Sequence, residues 1–140
     1  RVLPEAHNNA DGWQGEFRVG WFDTVLAQYA LKVCGGADSL AITHLDRIES
    51  LPDMKLALGY SAGQENFSRL PVNPEKTDLN AQSMITKLVE RSMPLYDPVL
   101  VRGERYARLI GDMVSTPVSI MSFGPTAADK RRIALNKRVA

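Results

Sequence analysis

A chain of 140 residues can bury one sizeable core, so one domain or part of one is expected. With 44% apolar and 24% charged residues and a formal charge of +1, it is neither a disordered tract nor a polyelectrolyte, and nothing in the balance calls for nucleic acid or an anionic membrane as partner. No apolar run approaches the roughly 18 residues of a membrane span, no signal peptide is visible, and the lone Cys34 cannot form an intramolecular disulfide, which fits a reducing cytoplasm.

Residues 1–18 are polar and lack an apolar period, so a loop is expected. His7, Asn8, Asn9, Asp11, Trp13, Gln14 and Arg18 give it either a substrate-binding role or only that of a polar terminus. Arg1 stands first in place of methionine, which predicts a longer polypeptide. Asp23 is placed to cap a helix whose apolar residues Val25, Leu26, Tyr29, Ala30 and Val33 keep a helical period to Cys34, and Gly35-Gly36 stops it. Cys34 itself reads as a small buried apolar residue.

Leu40, Ala41 and Ile42 form a short buried strand ending at Thr43. A second strand covers 54–60, with Met54, Leu56 and Leu58 on one face. Residues 61–77 are a connection, or a small strand excursion around Phe67 to Leu70. Asp78 caps a helix over 81–91 that turns Met84, Ile85, Leu88 and Val89 inward. Pro94-Leu95-Tyr96 is extended, and a third helix over 102–114 presents Tyr106, Ile110 and Met113 or Val114 before Pro117 ends it. Val118 to Met121 is a buried strand leading into Ser122-Phe123-Gly124-Pro125, and a polar turn or helix follows Thr126. Lys130, Arg131, Arg132, Lys137 and Arg138 read as a solvated tail or as a phosphate or protein contact. Strands alternating with helices give an α/β fold.

Two strand ends carry polar groups: Thr43-His44-Leu45-Asp46 and Ser122-Phe123-Gly124. If the two strands share a parallel sheet, both ends open on one crevice, where α/β proteins bind ligands. Alone, each signal is weak, because an Asp after a strand is also a common helix cap or turn residue. Gly124 would permit close approach of a flat ligand and Ser122 would offer a hydroxyl. His44 has no second His or Cys at ligand spacing, so no metal site is expected. Neither glycine-rich phosphate-loop pattern occurs.

The ordered motifs resemble one family. Gly20-Trp21-Phe22-Asp23-Thr24-Val25 is similar to the Gly-Trp-Leu/Phe-Asp-x-Val of adenylosuccinate synthetase, and Thr43-His44-Leu45-Asp46 to its Thr-Lys-Leu-Asp. Met54-Lys55-Leu56-Ala57-Leu58-Gly59-Tyr60 is similar to its Ile/Val-Lys-Leu/Ile-Cys-x-Ala-Tyr strand. Thr116-Pro117-Val118-Ser119-Ile120 with Ser122-Phe123-Gly124-Pro125 resembles its Val-Pro-Ile-x-x-Ile-Ser-x-Gly-Pro.

The resemblance implies the C-terminal part of a mixed α/β sheet with flanking helices. It implies a single nucleotide-binding subdomain over residues 1–140, with a substrate loop at 1–19 and a polar tail at 126–140. The family joins L-aspartate to C6 of IMP using GTP. It phosphorylates the purine O6, and the aspartate amine then displaces the phosphate. Residue by residue, the resemblance implies guanine recognition by Asp46 with His44 and Leu45 beside it, Ser122, Phe123 and Gly124 on the other side of the base, and Arg18 toward substrate. No catalytic residue falls in this stretch, Mg2+ and the phosphate loop belong to residues outside the chain, and the complete enzyme is a cytoplasmic homodimer formed with its N-terminal remainder.

Where the family has Thr-Thr-Gly-Arg-x-Arg-Arg before Gly-Trp, this chain has the longer, arginine-poor stretch from His7 to Arg18, and His44 replaces a lysine. Bidentate arginines are what clamp a dicarboxylate. The change therefore points to altered aspartate binding or to a different purine, such as a (deoxy)guanylate, and leaves GTP or ATP as donor. A non-catalytic purine nucleotide-binding or assembly module is the rival of a different class.

Overall fold

The computed structural model describes residues 19–75 and 77–134. Strand β1 (Phe22–Asp23) runs directly into helix α1 (Thr24–Val33), whose first turn is capped by Asp23 accepting from the Leu26 amide at 2.9 Å. The helix ends as expected: Gly35 and Gly36 take φ of +84° and +96°, which a side chain would resist. Strand β2 (Leu40–Ile42), helix α2 (Leu45–Glu49) and strand β3 (Lys55–Ala62) follow, then β4 (Glu65–Phe67) and helix α3 (Leu79–Glu90). Strand β5 (Met93–Pro98), helix α4 (Gly103–Met113), strand β6 (Val118–Ser122), a 3-10 turn at Ala127–Asp129 and strand β7 (Lys130–Arg132) complete the order.

The strands make two sheets. In the first, β3 pairs parallel with β1 and antiparallel with β4 and β5; in the second, β6 pairs parallel with β2 and antiparallel with β7. Helix α1 lies on β3, while α2 packs on both α4 and β6. The main core gathers Leu45, Leu56, Tyr106, Ile110, Val118 and Met121 from α2, α4 and both sheets. A smaller cluster around Val25, Tyr60 and Leu70 takes Ile85, Leu88 and Val89 from α3. Gly111 lets α4 approach β6: a Cβ there would lie 3.0 Å from the Thr116 carbonyl oxygen and 3.1 Å from a Val118 methyl.

Four expectations are corrected. Cys34 is exposed, because it stands at the C-terminal cap of α1 beyond the last buried turn. Met84 is 73% exposed, since only the Ile85, Leu88 and Val89 stripe of α3 meets the second cluster. Ala41 in β2 is exposed rather than buried, because β2 lies at the edge of its sheet. Leu58 is only partly buried while Ala57 is buried, because a register irregularity between Ala57 and Gly59 interrupts the alternation of β3. Helix α2 and strands β1, β4 and β7 are too short to carry a readable period.

Arg102 holds two loops together. Its guanidinium donates to the carbonyls of Val99 (2.7 Å), Val101 (3.1 Å), Leu51 (3.2 Å) and Pro52 (3.2 Å). Each hydrogen bond to a charged group contributes about 1.5–3 kcal/mol net, so Arg102→Met should lower the unfolding free energy by at least one such bond, seen as a lower urea midpoint with an unchanged slope.

Tyr106 is 4% exposed, and burial pushes its phenol up to about 12. In the unfolded chain the phenol ionises near pH 10. Stability from this group is therefore complete below pH 10 and falls between 10 and 12, by up to about 1.4 kcal/mol per pH unit. Alkaline unfolding of Tyr106→Phe should show a shallower loss over that window.

Candidate functional site

The pairing that matters is β2 with β6. Leu40 aligns with Val118, Ala41 with Ile120 and Ile42 with Met121, in parallel, so the segments after Ile42 and after Met121 leave their strands at the same sheet end. The condition set by the sequence, that both strands share one parallel sheet, is met.

At the first tip the chain turns sharply. His44 takes a left-handed conformation (φ 61°, ψ 26°), with its Nδ1 2.9 Å from the Thr43 hydroxyl. That backbone costs roughly 1–2 kcal/mol in a residue with a Cβ. The next residue, Leu45, is fully buried in the core, and burial of a leucine yields about 1.5–3 kcal/mol. The buried leucine is thus of a size to offset the strain and anchors the turn. Asp46 is not the cap of α2: His44 occupies that position and no side chain caps it. Asp46 instead lies in the first turn, its Oδ2 3.2 Å from Arg47 Nε and its side chain 33% exposed. The carboxylate stays open to solvent beside a cation.

At the second tip the turn is braced by its own chain. Ser122 is 4% exposed and its hydroxyl donates to the Gly124 carbonyl at 3.1 Å. The Phe123 amide donates to the Asp129 carbonyl at 2.9 Å, and the Arg131 guanidinium lies 4.7 Å from the centre of the Phe123 ring. Lys130 Nζ donates to the Gly124 carbonyl. The Asp129 carboxylate accepts from the Thr126 amide (2.8 Å) and hydroxyl (2.7 Å), and these bonds hold its carboxyl below the usual range. The close approach at Gly124 is to this carboxylate, since a Cβ would sit 2.7 Å from it.

A cleft of about 680 Å³ opens beside the first tip, between the two sheets. Trp21, Phe22, Ile42 and Ile110 line it, with Thr43, His44 and Arg47 as polar members. His44 is the one expected site residue among its lining; Asp46, Ser122, Phe123 and Gly124 belong to the strand tips. Arg18 lies outside the described residues. Among the described residues no group of three or more His, Cys, Asp or Glu could hold a metal ion, and no helix is long and apolar enough to cross a membrane.

Sequence reading missed Arg47, Asp129 and Arg131 at these tips. The signal for Asp129 was present: Thr126-x-x-Asp129 is a capping-box spacing. Arg131 stands over Phe123 only because β7 folds back on β6, pairing Met121 with Arg131.

A family model for adenylosuccinate synthetase matches residues 14–131. The chain belongs to the adenylosuccinate synthetase family. It is 30% identical over 138 residues to an adenylosuccinate synthetase of Symbiobacterium thermophilum, covering 89% of this chain and 31% of that one. It is 32% identical over 115 residues to that of Desulforamulus reducens (76% and 26%), and 30% over 108 residues to that of Thermosynechococcus vestitus (76% and 21%). The solved structure of fully ligated adenylosuccinate synthetase from Plasmodium falciparum superposes with a TM-score of 0.60 at 16% identity, over 82% of this chain and 29% of that one, which supports the mixed α/β fold. The chain thus spans between a fifth and a third of the length of these relatives.

Gly124→Ala should push the Asp129 carboxylate off Thr126. In an NMR titration its carboxyl should move up toward the ordinary carboxylate range, while a flanking control, Pro125→Ala, should leave it low.

Proposed function

We propose that this chain is the C-terminal part of a ligase that joins L-aspartate to C6 of IMP with hydrolysis of GTP, and that its two strand tips hold the guanine of the donor. One observation carries the reading: parallel β2 and β6 bring Thr43-His44-Leu45-Asp46 and Ser122-Phe123-Gly124 to a common sheet end. Asp46 would accept from the ring N–H and exocyclic amine of guanine, two donors that adenine does not offer in that pattern. Its partly exposed carboxylate, anchored through Leu45, is suited to this task. Ser122, Phe123 and Gly124 would lie against the other side of the base, on a turn already braced by Asp129 and Lys130. His44 would contribute its turn geometry beside the base, and Arg18 would meet substrate phosphate or carboxylate.

In this reading Mg2+, the phosphate contacts and the catalytic acid–base chemistry would belong to residues outside this chain. The complete ligase would be a cytoplasmic homodimer. A second reading, the same chemistry on a (deoxy)guanylate, is favoured by the arginine-poor stretch from His7 to Arg18. ATP in place of GTP as donor is the corresponding variant at the tips, where His44 replaces the family's lysine.

In the full-length protein, Asp46→Ala should weaken GDP binding by about 1.5–3 kcal/mol, or about 10- to 150-fold, and leave ADP binding nearly unchanged in calorimetric titrations. Equal losses for both nucleotides would remove Asp46 as the base reader. Turnover of the unaltered protein with aspartate and GTP, on IMP against dGMP, separates the two substrate readings.

A further inference from the structure

Strand β7 extends the row of residues at the tips by one strand. Ile42 aligns with Met121 across β2 and β6, and Met121 aligns in turn with Arg131 on β7. Arg131 therefore stands at the same sheet end as both tips, two strand spacings or about 10 Å from Ile42. Directly paired residues point to one face of a sheet, and the Arg131 guanidinium lies 4.7 Å from the centre of the Phe123 ring. Phe123 packs against the main core, while Arg131 is exposed. A ligand reaching this wall from solvent thus meets a cation beside the ring.

The other side-chain donors of the second tip are engaged. The Ser122 hydroxyl and Lys130 Nζ both donate to the Gly124 carbonyl, and the Thr126 hydroxyl donates to Asp129. At the first tip Arg47 Nε lies 3.2 Å from Asp46. The Arg131 guanidinium makes no hydrogen bond or ion pair among the described residues, so the stacked cation keeps its donors for a ligand. Guanine presents an acceptor, O6, next to the ring N–H that Asp46 would take, whereas adenine presents an amine at that position.

We propose that Arg131 is a specificity-determining residue of the nucleotide site: its guanidinium donates to O6 of a 6-oxopurine and rejects a 6-aminopurine, whose amine would face a group that can only donate. This rests on the reading that the two tips hold the base of the donor, and within that reading it selects GTP over ATP. A phosphate oxygen could accept from the same guanidinium, but the row across β2, β6 and β7 places Arg131 with the groups assigned to the base.

The test is calorimetric titration of the full-length protein with GDP, inosine diphosphate and ADP, before and after Arg131→Met, which keeps the stem over Phe123 and removes the charge. The substitution should weaken GDP and inosine diphosphate, which share O6, by about tenfold or more, and leave ADP unchanged or slightly tighter. Equal losses for all three would assign Arg131 to phosphate or to bracing the turn. That result, unchanged GDP binding, or an unaltered protein that binds ADP more tightly than GDP would each overturn the proposal. Asp46→Ala titrated alongside keeps the two claims apart. A guanine-selective loss on Asp46→Ala with none on Arg131→Met leaves the base site standing and removes Arg131 from it. The opposite pattern retains Arg131 and removes Asp46 as the base reader.

Discussion

The parallel ladder between β2 and β6 is the constraint from which the site follows. Two strands joined in parallel cannot be linked by a hairpin, so the chain between Ile42 and Val118 must travel around the sheet and return. That journey supplies α2, α3, α4 and three strands of the other sheet, β3, β4 and β5. It also sends both strands toward the same end, which an antiparallel pair would not do. Leu45, Ile110 and Met121, each almost completely buried, come from the three elements that this return brings together. The ladder and the core therefore support each other, because Leu45 can be buried only if α4 has come back over β6.

The two tips are held by different means. The first is a strained left-handed turn stabilised from below by Leu45, with a charged and accessible carboxylate one residue further on. The second has little polar capacity to spare. Its Ser122 hydroxyl, Gly124 carbonyl and Phe123 amide are already bonded, and Arg131 covers one face of the phenyl ring. One tip can supply charge and hydrogen-bond acceptors, while the other supplies a rigid wall. A flat heterocycle bound between them would be read on one edge and only packed on the other. Rigidity in the wall matters because it spares the cost of ordering a loop when a ligand binds.

Much of this was legible in the chain itself. Asp23 and Asp78 cap the helices they were expected to cap, because a carboxylate over free amides is a local interaction. Tyr106, Ile110 and Val114 are buried along α4 at the spacing the sequence displayed. The ordered motifs led to the family that the comparisons then showed. Errors arose where burial depends on what lies opposite. Among the described residues Met84 has helical spacing yet stays 73% exposed, and Ala41 is an apolar strand residue on an unpaired edge.

Sequence alone thus determined the caps, the buried stripe of α4 and the family, since these rest on neighbours a few residues apart or on ordered residue types. Only the tertiary structure decided that two distant strands pair in parallel, that the Asp129 carboxylate packs against Gly124, and that a cleft separates the two sheets. Those are contacts between residues far apart in the chain or between one loop and its own return, and composition and periodicity carry no record of which surfaces will meet.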